Sequence, residues 1–190
     1  MPVFLFAYGS LCDGATASEV LGRAVHPEPA RLVDWERGWF VAINNRASGS
    51  YACTACGGLP ARCLVVGIRP RTGSSVLGGL IAIGDDDVAA IRGRERSYRL
   101  GHVRVRRADG GDVTALTAVP RDDLLRRPGD GAAVPDAYER VVVDALRSLV
   151  SPTPLDQAAA FAATDAPRRD DLEYVRGDGI ARGACTCTRG

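Results

Sequence analysis

The chain is 190 residues long, 46% hydrophobic and 25% charged, with a formal net charge of +1. That is the make-up of one soluble globular domain, long enough to remove roughly 70% of its unfolded surface from water. The even charge balance lacks the basic excess of a nucleic-acid binder. All 24 basic residues are arginine. The absence of lysine excludes Schiff-base, PLP-anchoring and P-loop lysine chemistry. The two histidines, His26 and His102, lie far apart, which excludes an H-E-x-x-H or multi-histidine metal site. A general base in this chain is therefore expected to be a carboxylate.

In chain order, residues 3–8 form an apolar, aromatic run that ends at Gly9-Ser10, the pattern of a buried strand feeding a tight loop. This run has neither the basic flank nor the cleavage site of a signal peptide. No stretch approaches the roughly 20 apolar residues of a membrane span. A cytoplasmic protein without membrane or nucleic-acid partners is expected. Asp13 is a predicted cap for a helix over 15–21. Strands are predicted over 30–41, 63–68 and 76–83, with a polar Ser-, Gly- and Asn-rich insertion at 44–60. Residues 85–94 read as a helix with three aspartates in its first turn, where they favour the dipole. Alternation over 98–107, the turn Asp109-Gly110-Gly111 and residues 113–119 predict a hairpin. After a loop over 120–134, Pro135 starts a helix carrying Val141, Val142, Ala145, Leu146 and Leu149 at helical spacing. This order predicts an α+β fold: a small mixed β-barrel or curled sheet flanked by a few helices, without regular βαβ alternation. Composition shifts at residue 151. Residues 1–150 are read as the domain and 151–190 as a C-terminal extension with one short helix over 155–163. The Arg176-Gly177-Asp178 tripeptide reads as a chance feature of that extension.

Six cysteines are many for a cytoplasmic protein of this size. Cys53 and Cys56 form a C-x-x-C followed by two glycines, and Cys185 and Cys187 form a C-x-C near the end. In a reducing compartment such close pairs more often mean metal than disulfide. Together they could make a four-cysteine structural zinc site that pins the extension to the middle of the chain. The other reading makes them buried small apolar side chains or free thiols.

Two segments are candidates for chemistry. Tyr8-Gly9-Ser10-Leu11 ends a strand in successive backbone N–H groups, a nest suited to a carboxylate or a developing oxyanion. Ser10 as a nucleophile lacks the G-x-S-x-G elbow. Glu95 stands among Arg92, Arg94, Arg96 and Arg99, where the predicted helix gives way to a strand. A glutamate among arginines is ordinarily a solvated ion pair of little worth. At such a junction it can instead point into a cavity.

Four segments in order resemble the gamma-glutamylcyclotransferase family, which includes AIG2-like and ChaC-like proteins. They are residues 4–11 (FLFAYGSL), 30–39 (ARLVDWERGW), 76–98 (VLGGLIAIGDDDVAAIRGRERSY) and 134–149 (VPDAYERVVVDALRSL). Two departures stand out. Arg92 and Arg96 occupy positions where many relatives have Asp and Gly, and Pro135 stands one residue closer to Tyr138 than the family pattern. The resemblance implies a gamma-glutamylcyclotransferase-like fold. It also implies an enzyme that cyclises a small-molecule γ-glutamyl substrate to 5-oxoproline and releases an amine or amino acid, without a catalytic cofactor. Glu95 would be the general acid and base. Tyr8, Gly9, Ser10 and Leu11 would hold the glutamyl group, and Tyr98 and Tyr138 would stand near it or simply pack. Three other readings remain: a non-catalytic binder on the same fold, a γ-glutamyl deprotection enzyme of secondary metabolism, and a zinc-stabilised interaction module.

Overall fold

The computed structural model describes residues 3–48, 51–127, 130–149, 166–175 and 183–187. Its frame is a closed barrel of five strands. The apolar run at the start is β1 (Val3–Ala7), followed by a 3-10 turn (Ser10–Cys12) and helix α1 (Gly14–Leu21). Asp13 caps α1 as predicted: its carboxylate accepts from the Thr16 backbone N–H at 2.8 Å. Gly22, at φ 65°, ends the helix in the left-handed conformation. Strand β2 (Glu28–Asn44) then leads through a short helix α2 (Asn45–Ser48) and strand β3 (Tyr51–Cys53) into β4 (Arg62–Ile83). Helix α3 (Asp85–Arg94) precedes the hairpin of β5 (Tyr98–Arg107) and β6 (Asp112–Pro120). The last long element is helix α4 (Asp136–Leu149), entered through β7 (Val134–Pro135).

The barrel order is β1, β4, β2, β5, β6. Antiparallel pairs set Val3 opposite Ile83 and Tyr98 opposite Pro120. The barrel closes through a short parallel contact, with Leu5 opposite Leu116. The β1–β4 contact is close because Gly78 lacks a side chain: a Cβ there would lie 2.2 Å from the Ala7 carbonyl oxygen. Inside the barrel and under the helices lie Phe6, Leu32, Trp39, Leu64, Ile68, Ile81 and Val105, all fully buried. Helix α4 covers one flank with Val142, Ala145 and Leu146. Burying each large apolar side chain contributes about 1.5–3 kcal/mol.

The α+β barrel agrees with the sequence reading, with two corrections. Residues 63–68 and 76–83 are not separate strands but parts of the single strand β4. The Arg-Pro-Arg-Thr-Gly stretch reads as a break, yet the chain absorbs it as a bulge. Val33 pairs with Ser75 and Trp35 with Pro70, while Asp34 (φ 61°) and Gly73 (φ 79°) take left-handed conformations. The Asp34 carboxylate accepts from the Gly73 N–H at 2.9 Å. The polar insertion is also more ordered than a loop. Asn45 is fully buried and exchanges hydrogen bonds with the Tyr51 backbone, its side-chain amide donating to Tyr51 O at 2.7 Å.

The described parts of the C-terminal extension join the body. Strand β8 (Arg168–Arg169) runs parallel to β7, and β9 (Leu172–Tyr174) antiparallel to β3. The helix expected over 155–163 and the Arg-Gly-Asp tripeptide lie outside the described residues. Among the described residues, no helix is long and apolar enough to cross a membrane.

Candidate active site

One cavity of about 720 Å³ is bordered by Tyr8, Gly9, Ser10, Leu11, Glu95, Tyr98 and Tyr138. The fold thus brings together all seven residues singled out around the loop and the glutamate. They come from the end of β1, the turn after α3, the start of β5 and the first turn of α4.

The loop is set by its own backbone and by a buried arginine. The Gly9 and Ser10 carbonyls accept from the Cys12 and Asp13 N–H groups at 3.0 and 3.1 Å. That folds residues 9–12 into a tight turn. Gly9 runs so close to β4 that a Cβ would stand 3.0 Å from Val66 Cγ1. Below the loop, Arg37 from β2 is buried and donates from Nη1 to the Leu77 carbonyl at 2.7 Å and the Tyr8 carbonyl at 3.3 Å. Burial lowers the Arg37 pKa to about 10, so it stays charged at neutral pH.

Glu95 does not enter a strand directly. It is the C-cap of α3: its N–H donates to Ile91 O at 2.8 Å, and its carbonyl accepts from the Tyr98 N–H at 2.9 Å. These two bonds hold the turn that aims the residue. The side chain is 19% exposed, and burial raises its pKa above the ordinary carboxylate value. Arg94 works in the opposite direction, with its Nε 3.3 Å from Glu95 Oε1. Burial is the larger effect, so the carboxyl keeps its proton to a higher pH than an ordinary carboxylate.

Three tyrosines stand around the glutamate. Tyr8 donates its hydroxyl to Ala118 O at 2.5 Å, and Tyr98 donates to Val66 O at 2.6 Å. Tyr138 stacks edge-on against Trp39 at 5.9 Å and Tyr51 at 6.2 Å between ring centres. Burial pushes all three phenols above their usual pKa, so each stays protonated at neutral pH.

Arg92, Arg96 and Arg99 are exposed. Arg94 is the exception in function: besides meeting Glu95, its Nη2 donates to Ser10 Oγ at 3.0 Å. Two further residues were not identified from sequence. Arg37 lies within the strand predicted over 30–41 with nothing local to mark its role, and Tyr174 borders the cavity from the extension. No local signal marks Tyr174, because it reaches the cavity only through the pairing of β9 with β3.

The cysteines fall into two groups. Cys12 and Cys63 are buried apart, and burial pushes each thiol up to about 12. Cys53, Cys56, Cys185 and Cys187 converge, their sulfurs all within 4.8 Å of one another. These four are the described residues that could hold a metal.

No family model matches the sequence, and no curated protein matches it. Solved structures do match the fold. A gamma-glutamyl cyclotransferase aligns with a TM-score of 0.61 at 15% identity over 90% of both chains. An uncharacterised human protein gives 0.61 at 16% identity over 89% of this chain and 90% of that one. A yeast gamma-glutamyl cyclotransferase specific to glutathione gives 0.54 at 13% identity, covering 81% and 89%. The resemblance read from the four sequence segments therefore holds at the level of architecture, and the fold of this chain is that of the gamma-glutamyl cyclotransferases.

Proposed function

We propose that this protein is a gamma-glutamyl cyclotransferase, with Glu95 as its general acid and base. The observation that carries this reading is the meeting, on one cavity, of a carboxyl group with a burial-raised pKa and the Tyr8–Leu11 loop. The reaction is intramolecular. The free α-amine of a γ-glutamyl group forms a C–N bond to its own γ-carbonyl carbon. The bond from that carbon to the leaving nitrogen breaks. The products are 5-oxoproline and a free amine or amino acid.

Ring closure within one molecule already supplies proximity, so the protein has mainly to fold the substrate and move a proton. The ammonium first loses a proton to solvent. Glu95 takes the second proton as the amine attacks, then gives it to the leaving nitrogen. The backbone N–H groups of Gly9, Ser10 and Leu11 face the oxyanion that forms on the carbonyl oxygen. The tyrosine hydroxyls stay protonated and serve as neutral walls and hydrogen-bonding groups. Arg94 supplies positive charge beside the glutamyl carboxylate.

The test is mass-spectrometric detection of 5-oxoproline from a panel of γ-glutamyl peptides and γ-glutamyl amines. The reading expects equal amounts of 5-oxoproline and free amine. It also expects no turnover of substrates whose α-amine is acetylated, because the nucleophile is then blocked. Release of glutamate in place of 5-oxoproline would make the protein a hydrolase. Binding without turnover would make it a non-catalytic binder.

A further inference from the structure

The four converging cysteines are not used by the proposed chemistry. Cys53 ends β3, and Cys56 lies in the turn after it. That turn is closed by the Gly57 N–H donating to Cys53 O at 2.7 Å and the Cys53 N–H donating to Gly58 O at 2.9 Å. Gly57 takes φ 68°, a conformation that favours glycine. The other two thiols arrive on the segment 183–187. It runs alongside Leu59, with the Leu59 N–H donating to Gly183 O and the Cys185 N–H to Leu59 O, both at 2.9 Å. Only glycine permits this approach, since a Cβ on Gly58 would lie 2.7 Å from the Cys185 Cα.

The spacing of the sulfurs fits a tetrahedral ion. Four sulfurs about 2.3 Å from a central zinc lie about 3.8 Å from one another. Here Cys53 and Cys187 are 3.8 Å apart, and Cys56 and Cys185 are 3.5 Å apart. Four thiolates around a divalent cation leave a net negative charge, and a cation stands beside them. Arg169 Nη2 lies 3.6 Å from Cys53 Sγ, with its guanidinium held by Asp171 through bonds of 2.8 and 2.6 Å. Such an outer partner fixes ligand orientation and offsets charge.

We propose that Cys53, Cys56, Cys185 and Cys187 bind one structural zinc ion that fastens the C-terminal segment to the wall of the cavity. All four positions are filled by protein sulfur, so no open coordination site is left for catalysis. The consequence for the cavity runs through β3. At its far end from Cys53, Tyr51 packs on Tyr138 and on Tyr174, with ring centres 6.2 and 5.8 Å away, and both partners border the cavity. This inference does not depend on the cyclotransferase reading, and its readouts do not use activity.

The test is the metal content of the full chain, purified under reducing conditions without chelator. The proposal expects about one zinc per chain. It expects that ratio to fall to near zero in Cys53→Ser/Cys56→Ser and in Cys185→Ser/Cys187→Ser. Because a double variant can fail to fold, a second measurement uses the unchanged chain. Cobalt(II) added after zinc is stripped should give the intense visible bands of a tetrahedral four-thiolate site. In hydrogen exchange, the Cys185 amide should exchange at least about tenfold faster without metal. A metal-free chain that gives only weak octahedral cobalt absorption would overturn the proposal. So would an intact mass short by the hydrogens lost in two disulfides.

Discussion

Arg94 donates from Nη2 to the Ser10 hydroxyl across 3.0 Å, tying the last turn of α3 to the loop after β1. The same guanidinium meets the Glu95 carboxylate. One side chain thus spans the two halves of the candidate active site and sets the charge felt by its central group. Arg94 stabilises the ionised form of Glu95, while burial disfavours it. In Arg94→Gln the opposing effect is lost and the Glu95 pKa rises further. If Glu95 must be ionised to accept the proton, activity climbs as pH rises through its pKa. The acid limb of kcat against pH should therefore lie above the ordinary carboxylate range in the wild type and move to still higher pH in Arg94→Gln. A limb that stays in place would separate Arg94 from Glu95 titration.

The same burial has a cost in stability. Glu95 has a raised pKa in the folded chain, so the folded state binds a proton more tightly than the unfolded chain. Below the unfolded pKa both states are protonated and there is no cost. The cost grows as pH rises from the unfolded to the folded pKa and is complete above it. Glu95→Gln should therefore have a higher Tm than the wild type at pH 7, with the gain vanishing near pH 4. In a chain of this size each 1 kcal/mol moves Tm by about 2–4 °C. Thermal unfolding at the two pH values checks this, and an equal or lower Tm at pH 7 would count against a buried, strained carboxyl.

How far the sequence foretold this site depends on how local each feature is. The Tyr8–Leu11 loop and Glu95 were legible because each sits at the end of an element whose own pattern is clear. Their meeting needs only the barrel order. Arg37 was not legible. The alternation of β2 holds through Val33, then fails where the chain bulges. Residues 37–39 are buried in succession, which carries the guanidinium under the loop. The single long β4 was hidden for the same reason, since the Arg-Pro-Arg-Thr-Gly stretch looks like a break and is absorbed by left-handed Asp34 and Gly73. The cysteine pairs were visible as pairs. Their convergence depends on the last described segment lying against Gly58, a contact between residues far apart in the chain.

Tyr98 separates a positioning role from a catalytic one. Its hydroxyl donates to the Val66 carbonyl at 2.6 Å, and burial, with the nearby Tyr8, Tyr138 and Glu95, holds its pKa well above the usual value, so the phenol stays protonated. Tyr98→Phe leaves that carbonyl without its donor, at a cost of about 1–3 kcal/mol. The expected result is a lower Tm with the acid limb of the pH profile unmoved. A shifted limb would place the phenol in proton transfer.

Gly78 tests the barrel itself. A methyl group there would meet the Ala7 carbonyl oxygen at 2.2 Å and the Phe6 ring at 2.5 Å, and neither can yield without opening the β1–β4 pairing. Gly78→Ala should cost about 3 kcal/mol or more, among the larger effects of a single substitution. It should lower Tm by roughly 6 °C or more. Because β1 ends in the Tyr8–Leu11 loop, activity should fall with stability. Circular dichroism during heating measures the effect, and a Tm within 1–2 °C of wild type, about the change expected from a neutral surface substitution, would show that the strands can part cheaply.

The most direct test compares 5-oxoproline release by the wild type and Glu95→Gln, using the γ-glutamyl substrate with the fastest turnover in the panel. The amide keeps the shape of the side chain but cannot take up and return a proton. Loss of a positioned general acid and base lowers the rate by about 10²–10⁴-fold. The account predicts a fall of that size with the circular dichroism spectrum and substrate binding retained. Release by Glu95→Gln at the wild-type rate would contradict it.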